Sequence, residues 1–241
     1  MNYIYIFQRK NWGKEMALPI HEHGYLEVIL GPMFSGKSTF LEKIYRKYVL
    51  CNVPTLVINH SCDATRYVAA DLQDVEINVN TDVNTNTDEN KSDKNTEIEP
   101  FTNYMITHDK HGIPCTYISS LFSIPSETID KYPVILINEG QFFAELDIYV
   151  KELLVKNKII YVCGLDGDYK RAKFGQILEL IPLCDKVSKL DAVCGICRRP
   201  DKSAIFTIRL NPKERDQVLV GGAETYKPAC RECYNKSMSL C

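Results

Sequence analysis

The chain of 241 residues predicts an α/β fold, with a mainly parallel sheet and a smaller C-terminal module. Three observations carry that expectation. Short apolar runs, each long enough only for a strand buried on both faces, alternate with segments of helical spacing. A glycine-bounded loop stands between the first such strand and the first such helix. From about Asp191 the texture changes to paired cysteines, a Gly221-Gly222 step and short polar segments.

Taken in order, residues 1–24 show no clear period and read as an N-terminal extension. Tyr25–Leu30 is an apolar strand between Gly24 and Gly31. Lys37–Leu50 places Phe40, Leu41, Ile44, Tyr48 and Val49 at helical spacing. Residues 54–59, 115–118, 134–137 and 159–163 are further buried-strand runs, and 144–156 and 174–181 read as helices. Such alternation implies right-handed crossovers between parallel strands. Residues 78–99 are Asn, Thr, Asp, Glu and Lys with scarcely a large apolar side chain, too little to offset ordering entropy. They read as a disordered insertion in a first domain, 25–190, followed by a second, 191–241.

Composition narrows the function. A net charge of −2, with 45 % hydrophobic and 25 % charged residues, gives no general attraction to nucleic acid or anionic membrane. Any polyanion must be met by a local device. No stretch approaches the roughly 18 apolar residues of a membrane span, and residues 1–12 lack a signal-like apolar core. Of ten cysteines, five are scattered singly, four form two Cys-x-x-Cys pairs and Cys241 ends the chain. That distribution suits a reducing cytoplasm and one metal site rather than a disulfide framework.

Gly31-Pro32-Met33-Phe34-Ser35-Gly36-Lys37-Ser38 matches the G-x-x-x-x-G-K-[ST] phosphate loop, between strand and helix as its chemistry requires. Backbone amides of such a loop curl around phosphates at a positive helix terminus. Residues Gly31 to Thr39 are therefore the expected ATP site of a P-loop NTPase domain. Lys37 would reach the β- and γ-phosphates and Ser38 would hold Mg²⁺. A second strand, Val134–Ile137, ends in Asn138-Glu139, where open α/β sheets bind ligands. Glu139 is the candidate general base.

Cys194-x-x-Cys197 and Cys230-x-x-Cys233 form the ligand set of a tetrahedral structural Zn²⁺ site. A redox pair would instead follow a strand in a thioredoxin-like unit, which this region lacks. Zinc ribbons often bind nucleic acid, but residues 198–229 mix Arg198, Arg199 and Lys202 with Asp201, Asp216 and Glu224, and no basic face emerges. An ATPase acting on nucleic acid is the alternative function.

Together these segments resemble the cytosolic, zinc-containing (type II) thymidine kinases. The resemblance runs from about Tyr25 to Tyr234 and rests on the loop 31–39, Thr107-His108-Asp109, Glu139-Gly140-Gln141-Phe142-Phe143, Gly164-Leu165-Asp166-Gly167 with Phe174-Gly175, and the stretch from Val193 through Gly221-Gly222-Ala223-Glu224-Thr225-Tyr226 to Cys233. It implies ATP-dependent phosphorylation of thymidine to its monophosphate in nucleotide salvage, with Mg²⁺ and a structural zinc. Glu139 would take the proton of the 5′-hydroxyl, with Arg66 and Lys37 beside the transferring phosphoryl group. A lasso-like loop would close over the base, offering the main chain of Gln217, Val218, Leu219, Val220 and Gly221. Met33, Phe142, Leu165, Tyr169, Phe174, Thr207 and Tyr226 would line the base pocket, with Asp63 and Gln141 on the substrate side. The resemblance further implies a cytoplasmic homotetramer inhibited by deoxythymidine triphosphate, without nucleic-acid or membrane partners. Two departures stand out. Asn138 occupies the place of a family aspartate that would also face Mg²⁺, leaving a weakened kinase as a further alternative. Asp63 lies three residues before Arg66, where the family spacing is two.

Overall fold

The computed structural model describes residues 23–66, 76–77, 103–106, 111–211 and 215–239. The extension before residue 23, the 78–99 segment and the 107–109 motif lie outside the described residues.

The main sheet is built around a parallel core. In chain order its strands are β1 (Tyr25–Leu30), β2 (Thr55–His60), β3 (Glu76–Ile77), β4 (Asn103–Ile106), β5 (His111–Ile118), β6 (Val134–Ile137), β7 (Ile159–Gly164) and β8 (Lys186–Lys189). They lie side by side as β3-β5-β2-β6-β7-β1-β8, with β4 added antiparallel to β5. Every pairing along that path is parallel. The central runs are apolar because both faces are covered. On one face Leu26, Val28, Leu56, Ile58, Ile135, Ile137, Ile160 and Val162 pack against Leu146, Val150 and Leu153 of helix α3 (Leu146–Val155). On the other, Ile29, Val57, Leu136, Tyr161 and Cys163 meet Leu41 and Tyr48 of helix α1 (Lys37–Leu50). Alternate residues of one strand thus serve opposite layers.

Helix α1 begins after Gly36 in the left-handed region (φ 80°), and left-handed Asn52 (φ 56°) follows its C-cap, Cys51. A short helix, α2 (Ser126–Asp130), precedes β6. The buried Lys158 ammonium donates to the Ile129, Asp130 and Tyr132 carbonyls at 2.9, 3.3 and 2.9 Å, fastening the end of α2 to the start of β7.

The segment expected as a helix over 174–181 is instead a 3-10 turn, Ile177–Leu183. Gly175 is left-handed (φ 61°), which postpones any helical start, and Pro182 removes a donor the α ladder would need. Ile177 and Leu180 still reach the core.

The C-terminal region folds around a second, antiparallel sheet ordered β11-β10-β9, from β9 (Ala192–Val193), β10 (Ser203–Arg209) and β11 (Tyr226–Cys230). Helix α4 (Arg231–Met238) packs on it through the buried Tyr234, whose ring lies 5.0 Å from that of Phe206. Among the described residues no helix is long and apolar enough to cross a membrane.

Candidate active site

A cleft opens at the C-terminal ends of β1, β2, β6 and β7, with the second sheet across it. At one end the loop after β1 turns through Phe34 (φ 65°) and Gly36 to aim the first amides of α1 into the cleft. Lys37 is buried, and its ammonium donates to the Gly31 and Pro32 carbonyls at 3.1 and 2.8 Å. Met33, Phe34, Gly36, Lys37, Ser38 and Thr39 line the cleft, whereas Gly31, Pro32 and Ser35 stand behind that lining. Such a loop, with amides, a cation and a hydroxyl on one concave face, can hold a phosphate chain.

Glu139 enters the same cleft from the tip of β6. Its backbone is left-handed (φ 52°), an uncommon state for a glutamate that costs on the order of 1 kcal/mol or more. Gln141 holds the carboxylate by donating from Nε2 to Oε2 at 2.5 Å, and its own Oε1 accepts from the Leu165 amide at 3.0 Å. Gln141 therefore sits behind Glu139 rather than in the lining. Its position requires glycine at two places: a Cβ on Gly164 would strike the Gln141 Oε1, and one on Gly175 would strike its carbonyl.

Asp63 reaches the phosphate end from the short turn Ser61–Arg66 after β2. Its Oδ2 accepts from Asn59 Nδ2 at 2.9 Å. Arg66 closes that turn, and its side chain lies outside the described residues. Asn138 is buried away from the cleft lining: its backbone amide donates to the Ile58 carbonyl at 2.8 Å and its side-chain Nδ2 to Asn59 Oδ1 at 3.1 Å.

The far end of the cleft is apolar. Met33, Phe142, Leu165, Tyr169, Phe174, Thr207 and Tyr226 all line it, with Phe142 and Phe174 edge to face at 5.5 Å. The Met33 amide donates to Thr207 Oγ1 at 3.0 Å, fastening the β1 loop to β10 of the second sheet. Gln217, Val218, Leu219 and Val220 form the remaining wall, together with Gly222 rather than Gly221. This wall is latched from below. Arg209 donates to the Asp216 and Gln217 carbonyls at 2.6 and 3.1 Å and to the Tyr226 hydroxyl at 2.8 Å. Tyr226 in turn donates to the Leu219 carbonyl at 2.7 Å, and the Arg209 guanidinium lies 3.9 Å from the Tyr169 ring centroid. Gln217 Nε2 donates to Asp168 Oδ2 at 3.0 Å, and the Tyr169 hydroxyl to the Arg215 carbonyl at 3.0 Å.

Cys194, Cys197, Cys230 and Cys233 place their sulfurs within 4.8 Å of one another. Zn–S bonds of about 2.3 Å in a tetrahedron put sulfurs roughly 3.8 Å apart, and Cys197 and Cys230 stand at 4.0 Å. Burial alone would raise the Cys194 thiol, but backbone amides of Cys197, Cys230 and Ile196 outweigh it and bring it down to about 6. Cys233 is pushed the other way, to about 12, by burial and its sulfur neighbours. A cation between four sulfurs this close would hold them all as thiolates, and the donor set fits structural zinc.

Against known proteins, the thymidine kinase family model matches residues 24–103 and 98–234. The thymidine kinase of sheeppox virus (strain KS-1) is 32 % identical over 213 residues, covering 88 % of this chain and 98 % of the viral one. Human cytosolic thymidine kinase is 33 % identical over 221 residues, 92 % of this chain and 77 % of the human one. A rice thymidine kinase (Oryza sativa subsp. japonica) is 37 % identical over 231 residues, 94 % and 72 % of the two chains.

The chain belongs to the thymidine kinase family.

Membership makes it a phosphotransferase that uses ATP, and it directs attention to residues that sequence reasoning passed over. Arg209 lay unremarked within the mixed-charge stretch 198–229, and Asp168 and Asn59 carried no expected role. Some of their partners are near in sequence, Asp63 for Asn59, the Lys170 and Ala172 amides for Asp168 and the Asp216 and Gln217 carbonyls for Arg209, but no recognised motif marks such pairs. The one available signal was polarity out of place: Asn59 directly follows the apolar Leu56-Val57-Ile58 of β2, and Arg209 ends β10.

Proposed function

We propose that this protein transfers the γ-phosphate of ATP to the 5′-hydroxyl of thymidine, yielding thymidine monophosphate for nucleotide salvage. The observation that carries the reading is one cleft holding three things in sequence: the 33–39 loop with Lys37, the carboxylate of Glu139, and the apolar walls from Met33 to Tyr226. A small neutral base suits such walls, with few fixed polar groups.

In this reading Lys37 leaves the Gly31 and Pro32 carbonyls for the phosphates when ATP arrives, so the closed ammonium contact is a resting state. Glu139 accepts the hydroxyl proton as the oxygen attacks phosphorus. Gln141 keeps the carboxylate aimed by holding its second oxygen. The latched wall 217–220 excludes water, which limits ATP hydrolysis. Mg²⁺ would neutralise phosphate charge; Ser38, Asp63 and Glu139 supply hard oxygen donors on one side of the cleft and fit that ion. Asn138, with its amide engaged behind the lining, is not a magnesium ligand here. Zinc at the cysteine quartet holds the second sheet, and hence the nucleoside wall, in place. A cytoplasmic homotetramer restrained by deoxythymidine triphosphate completes the reading, on the strength of family resemblance.

The test is phosphate transfer from ATP to thymidine, deoxycytidine, deoxyuridine and deoxyguanosine, compared side by side. Thymidine should be the preferred acceptor. No transfer to any nucleoside, with ATP hydrolysis stimulated by DNA, would overturn the proposal. The family match favours neither the nucleic-acid ATPase nor the weakened kinase.

A further inference from the structure

A row of buried polar side chains runs from inside the sheet to the phosphate end of the cleft, and the mechanism above uses only its last member. The Cys163 thiol donates to Asn138 Oδ1 at 2.9 Å. Asn138 Nδ2 donates to Asn59 Oδ1 at 3.1 Å, and Asn59 Nδ2 donates to Asp63 Oδ2 at 2.9 Å. Asn59 Oδ1 accepts a second bond, from the His60 amide at 3.0 Å. Asn59 is fully buried, and Asn138 and Asp63 are 2 % and 6 % exposed. These three side chains come from β2, the tip of β6 and the turn after β2, so the row ties neighbouring parallel strands together at the cleft.

The row has a direction. A carboxylate only accepts, and a backbone amide only donates. With Asp63 at one end and the His60 amide in the middle, Asn59 must present nitrogen to Asp63 and oxygen to Asn138. Residue 138 must then present a donor, which asparagine has and ionised aspartate lacks. Turning Asn59 over would face its oxygen to Asp63 and its NH₂ to the His60 amide.

We propose that Asn59 and Asn138 act as a two-amide relay that positions the Asp63 carboxylate in the cleft. The asparagine at 138, where the resembled family carries aspartate, is then the matched partner of Asn59 rather than a defect. Both asparagines are positioning residues, since neither touches the cleft. The proposal rests on the thymidine kinase reading for its kinetic consequence, but not for its structural one.

The surroundings make the idea testable by pH. Among the described residues, the charged groups that act on Cys163 at the inner end of the row are Glu139, Lys37 and Asp63. Burial pushes the Cys163 and Cys115 thiols up to about 12, so both stay protonated. Asn138→Asp places a carboxyl against the Asn59 oxygen, and Asn59→Asp places one against Asp63. Each new carboxyl mimics the amide donor only while it keeps a proton, and like charges this close share one.

The experiment measures kcat/KM for thymidine and the melting temperature without substrate, for both variants and the unmodified protein, from pH 8 to pH 6. Taking each variant as a ratio to the unmodified protein at the same pH removes the pH dependence that the two proteins share. At pH 8 each variant should lose about tenfold or more in kcat/KM, as expected when a buried group loses its partner. The ratio should climb as pH falls, and the melting-temperature deficit should shrink in step. If Asn59→Asp does not fold, Asn138→Asp carries the test alone. A ratio and deficit independent of pH, or an Asn138→Asp protein fully active at pH 8, would overturn the relay. If the unmodified protein phosphorylates no nucleoside, the functional reading fails, and the pH-dependent melting deficit still decides the relay.

Discussion

Arg209→Met removes the guanidinium that latches the 217–220 wall while keeping much of the apolar stem. The residue is 6 % exposed and donates to two loop carbonyls and to the Tyr226 hydroxyl. Hydrogen bonds to charged groups contribute about 1.5–3 kcal/mol each when buried, but Asp216 and Gln217 are exposed, so water will replace much of that. Taking about 1 kcal/mol per bond, and a similar amount for the contact with the Tyr169 ring, the latch loses some 3–4 kcal/mol. At about 1.4 kcal/mol per decade, that is a shift of two to three orders of magnitude between ordered and open wall. Other ties remain, from Gln217 to Asp168 and the Lys173 carbonyl, from Tyr169 to the Arg215 carbonyl and from Tyr226 to the Leu219 carbonyl. The expected result is therefore a thymidine KM raised about 10- to 100-fold, as the competent state becomes rarer. Steady-state kinetics with thymidine and ATP varied separately is the assay, and ATP should be little affected. Arg209→Lys should fall between, since it keeps charge but not the planar fork. A thymidine KM within twofold of the unmodified value for Arg209→Met would refute the reasoning.

Purified protein should carry about one zinc per chain, and Cys230→Ser should lose it and render the second sheet protease-sensitive before the first; active protein free of zinc would contradict this. Glu139→Gln keeps the shape of the side chain but not its basicity, so turnover should fall by about 10²–10⁴ while ATP binding, measured by calorimetry, persists. His60 is held below its ordinary range, chiefly by burial, and its Nδ1 accepts from the Cys62 amide at 3.1 Å. Because the folded form resists protonation, the unfolded chain binds more protons as pH drops below about 6.5, and stability should decline there. Melting curves from pH 7.5 to 5.5 should show that decline, with a shallower slope for His60→Gln; equal slopes would remove His60 as the cause.

Much of the fold was legible because its elements have local causes. Val134–Ile137 appears at its predicted bounds, since a four-residue apolar run buried on both faces admits little else. Helix α1 also matches residue for residue, bracketed by Gly36 and Asn52 in left-handed conformations. Strand β5 begins four residues before the predicted 115, in a stretch that contains Pro114 and lacks a continuous apolar run. Its early half is defined by β4, which pairs with Gly112 to Cys115, a partner that no local pattern reveals. Edge strand β8 escaped for the same reason: three of its four residues are exposed, and pairing with β1 defines it. At the site, residues that face the cleft directly were readable from motif and resemblance, and most of them do line it. Asp168 and Arg209 line it too, but their roles, like that of Asn59 behind the lining, rest on contacts that no motif records.

The Arg209 latch has an evolutionary consequence. What it grips on the 216–219 stretch is main chain, and main chain is the same whatever side chain is attached. Val218 and Val220 line the cleft yet are 45 % and 47 % exposed, so neither is packed into a core. Their side chains can therefore drift with little effect on the path of the loop, provided that the anchors outside it stay. In a saturation library selected for thymidine phosphorylation, tolerance should be patchy within a few residues: broad at 218 and 220, and narrow at Arg209 and Tyr226. A lineage could rewrite much of this loop and keep its grip on the nucleoside.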